Sequence, residues 1–172
     1  MNDYIISGGI SGAITDPYSF EAQDHAEMYY EEIRHRIDDI EKISKNTGYD
    51  PIIIKFIKEY LFEDTHKIGD IEKRFDESFQ IAESWQRLAD MPEYIQEHDK
   101  VLLLHEIKEI SLICEGKSQK EAHNIANEEY NYALESAKFY KNLEMDGKIY
   151  KIKELKNIDT PTLRNDYDDL EL

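Results

Sequence analysis

The segment HDKVLLLHEIKEISLIC, residues 98–114, sets ionisable side chains in a run that is otherwise mostly apolar. On a helical wheel its leucine, isoleucine and valine residues cover most of the circumference. A helix that is apolar nearly all round belongs in the middle of a domain. His105, Glu106 and Glu109 share one sector of this helix. Because an unpaired charge is costly inside a protein, these groups must be paired, protonated or bound to a metal.

The next helical segment supplies a partner for that sector. SQKE, residues 118–121, has the spacing of a capping box, and Gly116 makes its connection to the preceding helix short. Two helices joined in this way are antiparallel neighbours. Counting outward from the turn sets His123, on the apolar face of the second helix, level with Glu109. We therefore expect His105, Glu109 and His123 to converge.

This constellation predicts a divalent-metal site, for Zn or Mn. His105 and Glu109, four residues apart, present two ligands on one helical face, and His123 is the third. A water in the fourth position would be a hydrolytic nucleophile, with Glu106 as general base and His105 and Glu109 as further catalytic groups. HEIKE departs from the HExxH signature of zinc proteases, because Glu109 stands where that pattern has its second histidine. The alternative is a buried His–Glu hydrogen bond with a purely structural role.

Other polar residues are predicted to surround this centre. Arg74 and Arg87 are candidate substrate-binding cations, and Arg87 is expected to face away from the core position of Trp85. The predicted substrate contacts are Arg74, Arg87, Tyr130 and Asn131, and the predicted rim residues are His66 and His98.

Capping and breaking residues predict a mainly α-helical bundle of about five helices. Gly48 is a helix stop, and Asp50-Pro51 is a helix start with an N-cap carboxylate and a proline in the first turn. MDGK, residues 145–148, predicts a small β-hairpin near the C-terminus, or else one more short helix. The five helices are predicted at residues 19–46, 51–62 and 78–89, from His98 to the stop at Gly116, and at residues 118–140.

The same signals divide the chain into three parts. Residues 1–18, with Ser7-Gly8-Gly9 and Ser11-Gly12, are predicted to be a flexible lead-in. Residues 19–156 are predicted to form a single helical domain. Residues 157–172 are acidic and poor in core residues, which predicts a disordered tail.

The charge of the chain limits its partners. It has 38 acidic and 21 basic residues, a net charge of −17 at pH 7. Such a chain repels phosphates at long range, so we expect no bulk nucleic-acid binding and favour a basic protein as partner. The lone Cys114 predicts a cytoplasmic protein without an internal disulfide. No run approaches the roughly 18 apolar residues of a membrane span, so no membrane association is expected.

Several ordered segments together resemble a known kind of domain. It is the helical C-terminal domain of phage minor-head proteins and polymorphic-toxin-like proteins of low-GC Gram-positive bacteria. The family pattern runs HDxxLLxHExxE and then EAHxxAxxxYNY, and the similarity covers about residues 20–140. The segments are ISKNTG (43–48), RF (74–75), IAESWQRL (81–88), HDKVLLLHEIKE (98–109) and EAHNIANEEYNY (121–132). Asp76-Glu77 stands where the family has Asp-Pro.

The resemblance implies a phage or mobile-element setting, with association with a virion or delivery out of the cell as open alternatives, and a larger phage or toxin polypeptide as partner. VLLLHEIKE is also similar to the metal-binding helix of HD-domain phosphohydrolases, although Glu106 stands where that family has Asp. His66 would then be the upstream histidine. Two hypotheses follow. The first is a toxin-like hydrolytic effector. The second is an acidic interaction protein, such as a head-associated factor, an immunity protein or an inhibitor of a host nuclease.

Overall fold

Helices make up most of the computed structural model, which describes residues 16–158 and the side chains of residues 16–145. Residues 1–15 of the predicted lead-in and 159–172 of the predicted tail lie outside that range. The mainly α-helical class is confirmed. In chain order the α-helices are α1 (Phe20–His35), α2 (Asp39–Thr47), α3 (Pro51–Lys58), α4 (Phe79–Asp90), α5 (Glu97–Cys114), α6 (Gln119–Glu129) and α7 (Tyr132–Ile158).

Shorter elements join these helices. A π-helical turn, Glu59–Glu63, extends α3, and a single 3₁₀ turn, Pro92–Tyr94, precedes α5. Strands β1 (His66–Ile68) and β2 (Ile71–Lys73) form an antiparallel pair. Within the described part of the chain, no helix has both the length and the apolar character needed to cross a membrane.

Local capping signals set the helix ends where the sequence predicts them. The Asp50 side chain accepts a hydrogen bond from the backbone two residues on, at 2.8 Å, and Pro51 occupies the first turn of α3. At the start of α6, the Glu121 N–H donates to Ser118 Oγ at 3.3 Å, and the Ser118 N–H donates to Glu121 Oε2 at 3.0 Å. Gly48 ends α2 in the left-handed region, with a φ of 82°.

The predicted helix over residues 19–46 is two helices. Extended backbone at Arg36, with φ −76° and ψ 138°, ends α1. The Arg36 guanidinium donates to Asp38 and to Asp90, each at 2.6 Å, and these bonds hold the break. Ile37, which the helical spacing places on the buried stripe, is therefore 92% exposed. The predicted helix over residues 118–140 is likewise divided, between α6 and α7.

Of the two alternatives predicted at MDGK, the hairpin is wrong and the segment is helical. Asp146 and Gly147 lie within α7. A glycine costs a helix interior only about 1 kcal/mol relative to alanine, and the lysine, glutamate and leucine residues around it favour helix. A hairpin forms instead between β1 and β2, where Ile68 pairs with Ile71 and Gly69 adopts a φ of 65° in the turn.

Helix α5 lies at the centre of the bundle and packs against α3, α4, α6 and α7. Trp85 of α4 is fully buried, and the ring of Phe62 meets it edge to face at 5.0 Å between centroids. Leu103 of α5 and Ile57 of α3 belong to the same cluster. A second cluster joins α1, α4 and α7 through Ala22, Ala26, Phe79 and Tyr140.

Buried ion pairs connect the central helices. Arg87 of α4 donates to both carboxylate oxygens of Asp99 in α5, at 2.8 and 2.7 Å, and both side chains are fully buried. Asp39 of α2 accepts from Lys58 Nζ and from Trp85 Nε1, each at 2.9 Å. The expectation that Arg87 faces away from the core is wrong, because a paired carboxylate offsets the cost of removing its charge from water.

His98, predicted at the rim of the site, is buried beside this ion pair. Its ring lies 4.7 Å from that of Phe139, and its Nε2 lies 3.0 Å from Arg87 Nη2. Arginine can only donate, so the His98 nitrogen accepts and the ring is neutral. Burial, assisted by the Arg87 charge, lowers the pKa of His98 from 6.5 to about 4, although Asp99 acts in the opposite direction.

Stability should therefore fall as the pH drops from about 6.5 to about 4. In this window the unfolded chain binds a proton at His98 that the folded chain excludes, so the loss accrues on acidification and is absent above pH 6.5. Its full size is on the order of 3 kcal/mol. Urea unfolding followed by circular dichroism across this range measures it.

Replacing His98 by glutamine should flatten that part of the profile, since glutamine keeps an acceptor and does not titrate. His35→Gln is the matched control, because His35 is an exposed histidine with a side chain 77% accessible. Identical profiles for wild type and His98→Gln would contradict the assignment.

Candidate metal centre

Three side chains from two helices meet at one point, which confirms the convergence expected from the sequence. Glu109 Oε2 lies 3.0 Å from His105 Nε2 and 2.8 Å from His123 Nδ1. The two histidine nitrogens are 3.3 Å apart. His105 and Glu109 lie on one face of α5, and His123 lies on α6. The three could hold one metal ion.

The relative direction of the two helices accounts for this meeting. Glu109 contacts His123, whereas His105, four residues earlier, contacts Tyr130, seven residues later. Between them, Lys108 pairs with Glu129 at 3.3 Å. Contacts that run in opposite sequence directions show that α5 and α6 are antiparallel, as the short connection predicts.

A backbone carbonyl orients His105. Its Nδ1 lies 2.9 Å from the carbonyl oxygen of Tyr130, in the break between α6 and α7. Because a carbonyl only accepts, Nδ1 carries a proton, and Nε2 is the atom that faces Glu109 and His123. It donates to Glu109 when it carries a proton and would present its lone pair to a cation when it does not. Metal-binding histidines are commonly held by such an outer N–H bond.

His123 reaches the cluster from the surface. Its side chain is 47% exposed, so the expectation that it lies in the apolar face of α6 is wrong. The buried positions of α6 are Ala122 and Ala126. The Asn127 amide lies 2.9 Å from His123 Nε2 and can present its nitrogen or, after a half-turn, its oxygen. With the oxygen facing the ring, Nε2 carries the proton and Nδ1 is free to bind a cation.

Glu109 is the most heavily hydrogen-bonded member. Gln119 Nε2 donates to its Oε1 at 3.2 Å, and the Tyr60 hydroxyl donates to the same oxygen. Burial acts to raise the pKa of Glu109, but the bonds from His105, His123 and Tyr60 hold it well below its ordinary range. The same carboxylate raises the pKa of His123. Glu109 is thus an anion at neutral pH, as a metal ligand must be.

Glu106 is buried like Glu109 but lacks the hydrogen bonds that Glu109 receives. It is 5% exposed, and its Oε2 has no hydrogen-bond partner among the described residues. Burial, together with the Glu109 charge, raises its pKa well above 4.5. Two carboxyl groups three residues apart are therefore held in opposite states, Glu109 ionised and Glu106 protonated.

The cluster opens into a pocket of about 250 Å³. Glu106, Glu109 and His123 all face it, so the buried carboxyl groups have a route to solvent. The remaining wall combines apolar and polar side chains, namely Leu61, Phe75, Ile81, Tyr60, Asp76 and Gln119. Polar groups that converge at an apolar-walled pocket are typical of ligand sites.

Sequence reasoning missed Tyr60 and Gln119. Tyr60 lies in the π-helical turn, whose widened spacing no sequence signal announced. Its ring packs edge-on against His66 at 4.6 Å and against Phe75 at 5.5 Å. Gln119 is the first residue of α6, and the capping box at Ser118 could have placed it beside the turn.

The other predicted site residues do not line the pocket. His66 contacts the site indirectly, since its Nε2 bonds the Tyr60 carbonyl at 2.8 Å and its ring stacks on Phe75 at 4.0 Å. Arg74 is exposed and donates to a backbone carbonyl at 3.0 Å. Asn131 caps α7 through a 2.9 Å bond to a backbone N–H. Tyr130 contributes its carbonyl, and Arg87 lies in the core.

Comparison with known proteins adds no assignment to this geometry. No family model, curated protein or solved structure matches the chain. The resemblance to a phage minor-head and toxin-like domain therefore stays a prediction from the sequence.

Replacing Glu106 by glutamine should make the metal-free protein more stable at pH 7. The unfolded chain releases the Glu106 proton above about pH 4.5, whereas the folded chain keeps it, so wild type loses stability as the pH rises. Glutamine has the same shape and no such loss. Urea unfolding in EDTA should show a gain that shrinks as the pH falls toward 4.5. The exposed Glu128→Gln is the control, and a gain independent of pH would contradict the expectation.

Proposed function

We propose that this protein is a divalent-metal-dependent hydrolase, acting as a toxin-like effector of a phage or mobile element. One observation carries the proposal: His105 Nε2, Glu109 Oε2 and His123 Nδ1 converge within 3.3 Å of one another beside a pocket. The mobile-element setting comes from the sequence resemblance alone.

The donor set fits a zinc ion. Two imidazole nitrogens and one carboxylate oxygen are a ligand set of catalytic zinc sites, which keep a fourth position open. With bonds of about 2.0–2.1 Å, the ligand atoms of a tetrahedral ion lie about 3.3 Å apart. The observed separations of 2.8, 3.0 and 3.3 Å need to widen by only a few tenths of an ångström. Manganese is the second candidate, although two nitrogens favour zinc.

Each residue then has a defined role. A bound zinc ion supplies Lewis acidity and an acidified water. His105 and Glu109 hold their orientation through the Tyr130 carbonyl and the Tyr60 hydroxyl. Glu106 is protonated in the metal-free chain and faces the same pocket; beside the charge of a bound zinc ion it would lose that proton, and as a carboxylate it would accept the proton of the attacking water and deliver it to the leaving group.

Access to solvent argues against a purely structural cluster. A structural hydrogen-bond network gains most from complete burial and complete pairing. Here His123 is half-exposed, and a buried carboxyl group beside it is left partly unpaired. Ionisable groups in such unfavourable surroundings are concentrated at functional sites.

Purified protein should bind one zinc ion per chain, as measured by calorimetry. His123→Ala should weaken binding by at least tenfold, since second-shell changes alone cost about 10–100-fold. Because the His123 side chain is half-exposed, this variant should remain folded, and His35→Ala is the surface control. Binding should weaken as the pH falls, beginning above pH 6.5, because the raised pKa of His123 lets protons compete sooner. Equal affinity in wild type and His123→Ala would contradict the proposed ligand set.

Expression of the wild-type chain should slow the growth of a bacterial host, and His123→Ala, at an equal soluble level, should not. Growth curves under induction test this. His35→Ala should remain as inhibitory as wild type.

The net charge of −17 favours a second function, that of an acidic protein bound to a basic partner. Such a partner could be a phage head component, a nuclease or a toxin. This function predicts that His123→Ala keeps its effect on growth, because binding would not depend on the cluster. It also predicts an interaction that weakens steeply with salt.

A further inference from the structure

The charge of the pocket wall limits which substrates can approach the cluster. Among the described residues, the wall carries the carboxyl groups of Asp76, Glu106 and Glu109 and no lysine or arginine. Lys73 lies outside the wall and is bonded to Asp76 at 2.7 Å. Sites for phosphate esters supply cations or forked donors to the phosphate oxygens. Apart from the metal and the His123 ring, this wall offers none of these groups.

The apolar part of the pocket wall encloses a space that suits one apolar side chain. Leu61, Phe75 and Ile81 form its apolar part. Its volume of about 250 Å³ is below the roughly 300–1,000 Å³ of pockets that enclose a drug-sized ligand. A space of that size suits one side chain of a longer substrate, with the rest of the substrate outside.

One neutral donor in the pocket wall has a hydrogen to spare. Gln119 Nε2 donates one hydrogen to Glu109 Oε1 at 3.2 Å and keeps a second, whereas the single hydrogen of the Tyr60 hydroxyl is committed to the same oxygen. Uncharged donors beside a reacting centre match the single negative charge that develops on a carbonyl oxygen during acyl transfer.

We propose that the site hydrolyses a neutral acyl substrate, an amide or ester that places an apolar side chain against Phe75, and excludes phosphate esters. This inference rests on the proposed metal-dependent hydrolysis. The oxygen of water forms a bond to the carbonyl carbon, and the carbon–nitrogen or carbon–oxygen bond of the leaving group breaks. One proton of the water passes through Glu106 to the leaving group, so an amide gives a carboxylic acid and an amine.

The affinities of small ligands for the metal-loaded protein test whether the site prefers acyl groups to phosphate. The protein is loaded with Co²⁺ and titrated with inorganic phosphate, acetohydroxamate and 3-phenylpropanohydroxamate while the visible spectrum of cobalt is recorded. The phenyl-bearing probe should bind at least tenfold more tightly than acetohydroxamate, because its ring can enter the apolar wall. Phosphate should bind more weakly than either.

A matched pair of variants locates the apolar contact. Phe75→Ala should reduce the preference for the phenyl-bearing probe about tenfold while Co²⁺ binding is retained. Phe20→Ala, at an aromatic residue that is 89% exposed on α1, should leave the preference unchanged.

The outcomes separate the two proposals. Absence of Co²⁺ binding would overturn the metal-dependent function itself. Co²⁺ binding with phosphate as the tightest probe would leave that function standing and overturn the acyl substrate. Equal affinity for the two hydroxamates, or a preference that survives Phe75→Ala, would overturn the assignment of the apolar wall.

Discussion

Of the five ionisable groups that α5 buries, all but Glu106 have a partner from another element in the described part of the chain, and these partners hold the neighbouring helices in place. Asp99 binds Arg87 of α4, and Glu109 binds Tyr60 of the π-helical turn. His105 binds the carbonyl of Tyr130 between α6 and α7. Such bonds add little net stability, because desolvation offsets most of their attraction. We infer that they chiefly fix which residues of neighbouring helices face one another, a task that apolar contacts perform less strictly.

The same helix therefore carries two kinds of buried polar group along its length. Near its beginning, Asp99 has a full set of donors from Arg87 and from a backbone N–H at 2.8 Å. Two turns later, Glu106 has an oxygen without a hydrogen-bond partner among the described residues. A chain selected only for stability would not keep an unpaired acid beside an ionised one. This contrast between Asp99 and Glu106 supports a function for the part of α5 that carries Glu106.

The sequence predicted the fold class and the three-residue cluster, but not the residues that surround the cluster. The convergence of His105, Glu109 and His123 follows from helical spacing and a short antiparallel connection, which are local properties. Arg87 was misplaced because its burial depends on Asp99, twelve residues away, and pattern alone treats arginine as a surface residue. The hairpin was misplaced because a dipeptide signal cannot show whether the surrounding helix is strong enough to continue through it.

The π-helical turn has a consequence for how this site can change. Asp64 N–H bonds the Glu59 carbonyl, five residues back, so the turn holds one residue more than an α-helical turn would. A chain shorter by that residue would keep α3 intact yet rotate everything after it by about 100°. If the missing residue were Glu59, which precedes Tyr60 in the turn, Tyr60 would lose its contact with Glu109 without any change in its own identity. The hydrogen bonding of the Glu109 carboxylate thus depends partly on the number of residues in this turn, which insertions and deletions change and substitutions do not.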